Sequence, residues 1–368
     1  MVVGVPKEIK ADEKRVSVLP HLVQSILNMG HQVLIQKNAG KDSGFTDQMY
    51  LDEGAKIVPN IEDVYSMSDV IVKVKEPLKA EIPLIKPSHV IFTFFHFGGD
   101  RNLLDSFLKT KATAIAYETV EDSKGDLPLL IPMSEIAGRM SIQNGAKYLE
   151  GTLGGKGKLL SGVPGVSPAV VTIIGGGIVG LNAAKIASGL GGKVNILDID
   201  VSRLRFLDNI LPPNVTTYHS NSYNIESLLP ETDLLVGAVL VPGTRAPKII
   251  SRRMLSLMKE GSVVVDVAVD QGGCIETTKP TTHKNPIYIV DGIVHYCVAN
   301  MPGSVPMTST ISLTNSTSAY ILSLLKEDLR PGKILDTSIL KGINIYRGEI
   351  THKGLADSFD LPFKNIHT

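Results

Sequence analysis

The chain has 368 residues, 43% apolar and 20% charged, enough for two domains with separate cores. Lysine plus arginine equals aspartate plus glutamate at 37 each, so no net field draws the protein to nucleic acid or to an anionic membrane. The two cysteines, Cys274 and Cys297, exclude a cysteine-rich zinc site and favour a reducing compartment; no metal site is expected.

The first residues, MVVGVPKEIKADEKR, hold no continuous apolar run of signal-peptide type. The most membrane-like stretch, Ala169–Ala184, is too short for a span, so a cytoplasmic protein without membrane contact is expected. Gly154-Gly155-Lys156 lacks the earlier glycine of a Walker A loop.

In chain order, strands are expected at Val2–Val5, Gln32–Gln36, Val70–Val74, Val90–Phe97 and Thr113–Tyr117. Between the first two, Leu22, Val23, Ile26 and Leu27 recur at helical spacing over Pro20–Met29. Pro20 suits the first turn of that helix and Gly30 its C-terminal cap. The β-branched run Val170–Ile174 then enters a G-x-G-x-x-G made by Gly175, Gly177 and Gly180. A helix-compatible stretch follows, and a second apolar run, Val194–Leu197, ends at Asp198. Later strands are expected at Thr216–Tyr218, Asp233–Leu240, Val263–Asp270 and Tyr288–Val290, with Ser251–Met258 as a crossover helix. Ser304–Ser318, rich in serine and threonine, reads as a loop leading into a returning helix over Ala319–Leu325.

This alternation predicts an α/β fold of two domains, each a parallel-type sheet flanked by helices, with a Rossmann dinucleotide-binding domain inserted mid-chain. Residues 1–128 and 306–368 would form a substrate domain and 129–305 an NAD-binding domain, with a cleft between them. In the fingerprint, Gly175 permits the tight turn, Gly177 lets a pyrophosphate approach the backbone, and Gly180 lets helix and strand pack closely. The helix start offers unpaired N–H groups to the phosphates. Asp198 can accept from a ribose 2′-hydroxyl and would repel a 2′-phosphate, which favours NAD over NADP.

Open parallel sheets bind ligands beyond the carboxyl ends of their strands. Arg15 lies in the loop after the first strand, Lys75 directly after Val70–Val74, and His96 after Val90–Phe95. A guanidinium suits bidentate capture of a carboxylate, an ammonium can polarise a carbonyl, and an imidazole titrates near neutrality. In the later half Asp270 ends VVVDVAVD, where it could balance a cationic intermediate; Asp266, inside the apolar run, reads as structural. The segment His295–Pro306 follows the last expected strand as a wall over the nicotinamide. By spacing alone each group has a structural alternative. Arg15 and Lys75 could be solvated loop cations, His96 one of nine histidines satisfied in place, and Asp270 a turn cap. Lys73 competes with Lys75 because alternation puts both on one side.

The chain closely resembles bacterial L-alanine dehydrogenases, from GVPKEIKADEKRVSVLP at the start to TSTISLTNSTSAY near the end. VKVKEP, FTFFHF, YETV, LPLLIPMSEIAGRMS, GAVLVPGTRAPKIIS, DVAVDQGGC and HYCVANMPGSVP are the motifs between. The resemblance implies that Arg15 and Lys75 bind the substrate carboxylate and carbonyl, with His96 as general acid/base and Asp270 as its partner. It implies a cofactor set of Ser134, Gly175, Gly177, Ile178, Val179, Gly180, Asp198, Arg203, Ser220, Val239 and Leu240. Val267, Ala268, Val269, Asp270, Lys279, Val298, Ala299, Asn300 and Met301 complete that set. The implied reaction is reversible NAD-dependent deamination of L-alanine to pyruvate and ammonia through iminopyruvate, in a homo-oligomer that is a hexamer in the family. Met307 and Gly98-Gly99-Asp100 depart from the family's pattern, the latter beside His96.

Three other readings share the fingerprint: the NAD(H)-binding part of a proton-translocating transhydrogenase, a saccharopine or opine-type dehydrogenase, and a non-enzymatic NAD-binding descendant. The transhydrogenase module needs no substrate acid/base, so Lys75, His96 and Asp270 are the residues that separate it from the first reading.

Overall fold

A computed structural model describes residues 1–239, 246–330 and 332–366. The chain divides into two compact units, Met1–Met133 with the segment from Gly303 onward, and Ser134–Pro302. The first join falls inside a continuous helix, Ile131–Tyr148, rather than at 128/129. The second falls within a short 3₁₀ turn, Met301–Ser304, just before the helix that begins at Pro306.

The strands are β1 (Val2–Val5), β2 (Gln32–Gln36), β3 (Lys56–Val58), β4 (Val70–Val72), β5 (Val90–Thr93) and β6 (Thr113–Ala116), then β7 (Val170–Ile174), β8 (Lys193–Asp198), β9 (Val215–His219), β10 (Leu234–Gly237) and β11 (Val263–Asp266). They end with β12 (Ile287–Val290), β13 (Ile293–Tyr296), β14 (Ile343–Tyr346) and β15 (Glu349–Ile350). In the first unit the sheet order is β15-β14-β6-β5-β4-β1-β2-β3. β1 to β6 run parallel, while β14 lies antiparallel to β6 and β15 to β14. β4 and β6 are buried at every position, which is why they read as unbroken runs rather than alternating ones. Helix Pro20–Asn28 buries Leu22, Val23 and Ile26 against Val3, Val5 and Val72, and Gly30 follows it with φ +82°.

In the second unit the order is β12-β13-β11-β10-β7-β8-β9, parallel except for β12 on β13. Each unit therefore reverses its strand order once, between β1 and β4 and between β7 and β10. These are the switch points where doubly wound sheets hold their ligands. The sheets are mixed but mostly parallel.

Several boundaries differ from expectation. The strands expected at Val90–Phe97, Asp233–Leu240 and Val263–Asp270 stop at Thr93, Gly237 and Asp266, because the chain turns as soon as it clears the sheet. The expected Ser251–Met258 helix is the single turn Arg252–Leu255. β3, β13, β14 and β15 were not expected. β13 contains His295 and Tyr296, so the stretch read as following the last strand begins inside it. The expected loop Ser304–Ser318 is helical from Pro306 onward, the first part of a long helix, Pro306–Leu324. Its hydroxyls turn inward onto main-chain carbonyls. Ser318 Oγ donates to Thr314 O at 2.5 Å and Ser316 Oγ to Ser312 O at 3.4 Å, which makes a serine- and threonine-rich helix compatible with burial.

Candidate active site

The carboxyl ends of β1, β4, β5 and β6 share one edge of the first sheet, with the switch point between β1 and β4. Arg15 sits in the loop after β1 and is 2% exposed. That loop is stitched from several sides. Val16 N–H donates to Thr310 Oγ1 (3.2 Å), Ser17 Oγ to Val72 O (2.7 Å) and Tyr50 Oη to Val18 O (2.8 Å). Glu13 grips the Arg15 guanidinium in a fork, accepting from Nε at 2.7 Å and Nη2 at 2.5 Å, and also accepts the Arg15 backbone N–H at 3.1 Å. Burial works against the Glu13 charge, but Arg15 outweighs it and holds the carboxyl at about 2.

After β4 the structure separates the two lysines that alternation left open. Lys73 is fully buried between Glu8 (3.1 Å) and Glu81 (2.8 Å). Lys75 is half-buried, and among the described residues its ammonium has no ion-pair partner. Burial, with Arg15 next, pushes its pKa down. Lys73 is a structural cation and Lys75 the one available to a ligand. Glu8 Oε1 receives the backbone N–H of both Val74 (2.7 Å) and Lys75 (3.2 Å).

His96 follows β5 with φ +52° and ψ 36°, its ring stacked parallel to Phe94 at 5.6 Å. The side chain is exposed, yet the surrounding protein and then the cations Lys75, Lys10 and Arg15 push its pKa down to about 3. Its backbone N–H donates to Glu118 Oε1 at 2.5 Å, and that of Phe95 to Glu118 Oε2 at 3.2 Å. Burial lifts Glu118 to about 7 despite these bonds. Arg15, Lys75 and His96 thus cluster on the first sheet: after burial, the Arg15 charge lowers Lys75, and Lys75, Lys10 and Arg15 lower His96. Sequence reasoning missed the carboxylates Glu8, Glu13 and Glu118. Each is an ordinary loop or strand-end acid by pattern, and only the tertiary structure shows which backbone amides it meets.

In the second unit the fingerprint follows β7. Gly175 has φ +101°, and a Cβ there would lie 2.7 Å from Ala238 O, across the switch point beside Val239. A Cβ on Gly180 would drive into the Gly175 carbonyl, whereas one on Gly177 would meet nothing. Open space at Gly177 fits a phosphate approaching the start of helix Ile178–Gly189. Asp198 Oδ2 accepts from Gly176 N–H (2.7 Å) and Oδ1 from Asp200 N–H (2.9 Å), and its second lone pairs can still serve a ribose. Arg203 donates to the carbonyls of Gly176 (2.6 Å) and Gly177 (3.4 Å), and Ser220 N–H to Asp198 O (2.9 Å). A Cβ on Gly138 would collide with Val179 O, so the helix carrying Ser134 packs tightly on the fingerprint helix. Asp198, Arg203, Ser220, Ile178, Val179 and Val239 therefore gather around the turn.

Asp270 does not end a strand. It lies exposed in the 3₁₀ turn Val269–Gln271, four positions past the end of β11, and accepts Asn300 N–H at 3.2 Å. Asp266, fully buried, accepts from Ala268 N–H, Ile275 N–H and Thr278 Oγ1, the structural role expected of it. Val267 N–H bonds Gly237 O at 2.9 Å, joining this turn to the end of β10. Ala268, Val269, Val298 and Met301 are buried, and Ala299 is half-buried. Lys279 is exposed over the Tyr288 ring at 4.9 Å. Leu240 lies outside the described residues.

A doubly wound sheet with a glycine turn shaped for a pyrophosphate, and a second sheet presenting two cations and an imidazole, define a dinucleotide-dependent oxidoreductase. Residues 4–137 match the family described as Alanine dehydrogenase/PNT, N-terminal domain, and residues 141–353 the corresponding C-terminal domain. An alanine dehydrogenase from Methanococcus maripaludis is 50% identical over 364 residues, 99% of this chain and 98% of its own. A solved L-alanine dehydrogenase superposes with TM-score 0.93 at 47% identity, covering 98% of this chain and 99% of that one. A transhydrogenase from Sinorhizobium meliloti shares the fold alone, at 21% identity and TM-score 0.80, over 96% of this chain and 99% of its own. The chain belongs to the alanine dehydrogenase/PNT family.

Proposed function

We propose that this protein is an enzyme that interconverts L-alanine and pyruvate plus ammonia with NAD as hydride acceptor. The observation that carries the reading is the group Arg15, Lys75 and His96 on adjoining strand ends of one sheet, in a chain whose full-length relatives are alanine dehydrogenases. A transhydrogenase module would have no use for that group.

The Gly175–Gly180 turn, Asp198, Arg203 and Ser220 are the residues to hold NAD, with Ser134, Val239, Leu240, Lys279 and the 267–270 and 298–301 segments around it. Bound NAD supplies the acceptor for the Cα hydride. Arg15, oriented by Glu13, takes the substrate carboxylate, and Lys75 the carboxylate's second oxygen or the carbonyl oxygen. With its pKa lowered, Lys75 donates a proton to a developing oxyanion more readily than a free lysine. His96, neutral at pH 7, accepts the proton of water adding at the imine carbon and returns it to the departing nitrogen. Asp270 balances positive charge on that nitrogen. Substrate binding itself retunes His96, since a carboxylate on Arg15 and Lys75 cancels the cations that depress it.

Purified protein should oxidise NADH only when pyruvate and ammonium are both present. Oxidation with either alone, or none with both, would overturn the reading. Asp198→Ser should narrow the preference for NADH over NADPH by about tenfold, since one acid's repulsion of a 2′-phosphate is removed. An unchanged ratio of kcat/KM values would place Asp198 outside the ribose site. The cytoplasmic location rests on cysteine usage and the hexamer on resemblance; sedimentation of the purified protein checks the hexamer.

A further inference from the structure

We infer that Glu118 is a positioning residue for His96: its carboxylate clamps the left-handed turn that aims the imidazole. This rests on the acid/base reading of His96 given above. Glu118 is set by β6, the strand beside β5, and reaches across to the first residues beyond β5. Its two oxygens take the consecutive backbone N–H groups of Phe95 and His96, at 3.2 and 2.5 Å. His96 lies at φ +52°, a region that residues with a Cβ occupy sparsely and keep only where the surroundings over-determine it. Here the surroundings are few. The side chain is exposed, its ring rests on Phe94, and Gly99 N–H bonds its carbonyl at 3.0 Å. Among the described residues, the carboxylate is the group that fixes the amide side of His96.

The same device recurs at the other two groups of the site. Glu8 receives the backbone N–H of Lys75 and of the residue before it, and Glu13 that of Arg15. Three glutamates thus hold the main chain of three functional side chains. Glu8 and Glu13 also pair with cations, Lys73 and Arg15, so their loss would disturb charge as well as geometry. Glu118 has no ion-pair partner among the described residues, which makes it the cleanest of the three to test. Burial raises its carboxyl and the two N–H bonds oppose that rise, in keeping with a group retained for what it holds.

The test is steady-state amination of pyruvate by Glu118→Gln and Glu118→Ala, with NADH binding followed by fluorescence. Glutamine keeps one carbonyl acceptor but turns an amide N–H₂ toward a backbone N–H; alanine keeps neither acceptor. We expect kcat to fall about tenfold in the glutamine variant and about a hundredfold in the alanine variant, with KM for pyruvate and NADH affinity within about threefold. Loss of NADH binding along with kcat, or a rise in KM at constant kcat, would mark Glu118 as general scaffolding and overturn the inference. His96→Asn, assayed in parallel, separates the two levels. If it is inactive while both Glu118 variants match the wild type, the clamp alone is wrong. If it turns over normally, the acid/base reading falls and the clamp with it.

Discussion

Replacing His96 with asparagine should lower kcat for pyruvate amination by about 10²–10⁴ and leave NADH affinity within about twofold. Asparagine is chosen because it tolerates the left-handed backbone at φ +52°, where alanine would add strain of its own. It cannot exchange a proton at neutral pH, so the loss reports proton transfer rather than folding. The pH profile carries a second, sharper expectation. In the free protein the His96 pKa is depressed to about 3, by desolvation and then by Lys75, Lys10 and Arg15, so the base form prevails at all higher pH. On the proposed reading, a substrate carboxylate bound to Arg15 and Lys75 would offset their charge and let the imidazole take up a proton more easily. The acid limb assigned to His96 should therefore lie at higher pH in kcat, which reports the complex, than in kcat/KM, which reports the free enzyme. Coincident limbs, or a limb that persists in His96→Asn, would remove His96 from the proton-transfer role.

How much of this was legible in the sequence differs by element, for physical reasons. β1 and β2 have their expected bounds because each is a short, mostly apolar run ended by polar or turn residues. The fingerprint was legible because its glycines answer steric demands that no other residue meets: a positive φ at Gly175 and contact with a carbonyl at Gly180. β13 was not legible, since IVHY places a histidine in a fully buried strand. Only the bonds of His295 to Thr277 Oγ1 and Ile293 O make that tolerable. The helix Pro306–Leu324 was missed for a related reason. Serine and threonine favour turns when solvated, but here Thr310 accepts Val16 N–H and Thr314 Oγ1 donates to Ser17 O, partners distant in sequence. Arg15, Lys75 and His96 could be put forward as site residues because they follow strands, and carboxyl ends of parallel strands face ligands. Alternation alone left Lys75 and Lys73 level, since both project to one side, and only the family resemblance favoured Lys75; the physical distinction lies in tertiary contacts. It turns on Glu8 and Glu81, which the chain supplies from elsewhere.

Lys73→Met should be among the most destabilising single substitutions in the first unit, by about 3–5 kcal/mol, or on the order of 10 °C in its thermal midpoint. Methionine fills the volume but leaves Glu8 and Glu81 facing each other, both buried, without the cation that bridges them. In the intact cluster burial presses the Lys73 pKa down, but Glu8 and Glu81 outweigh it and hold the ammonium above its usual value. Its stabilising effect is therefore complete below the unfolded lysine value and constant across the neutral range. Glu8 behaves oppositely: chiefly through burial its pKa is raised on folding, even with Lys73 present. Without Lys73 that rise must grow. The folded variant then binds a proton on Glu8 more tightly than the unfolded chain does. Its stability should fall as pH climbs from about 4.3, the unfolded value, through the raised folded one. The deficit relative to wild type should accordingly be smaller at pH 5 than at pH 8, as measured by thermal melts at both. A deficit independent of pH would mean that packing, not charge, sets the cost. Paired replacement Lys73→Met with Glu81→Leu should recover part of the loss at pH 8, because one buried carboxylate then remains in place of two. Glu8 would keep its bonds to the Val74 and Lys75 amides, so the aim of Lys75 into the site should survive in the double variant even where stability does not fully return.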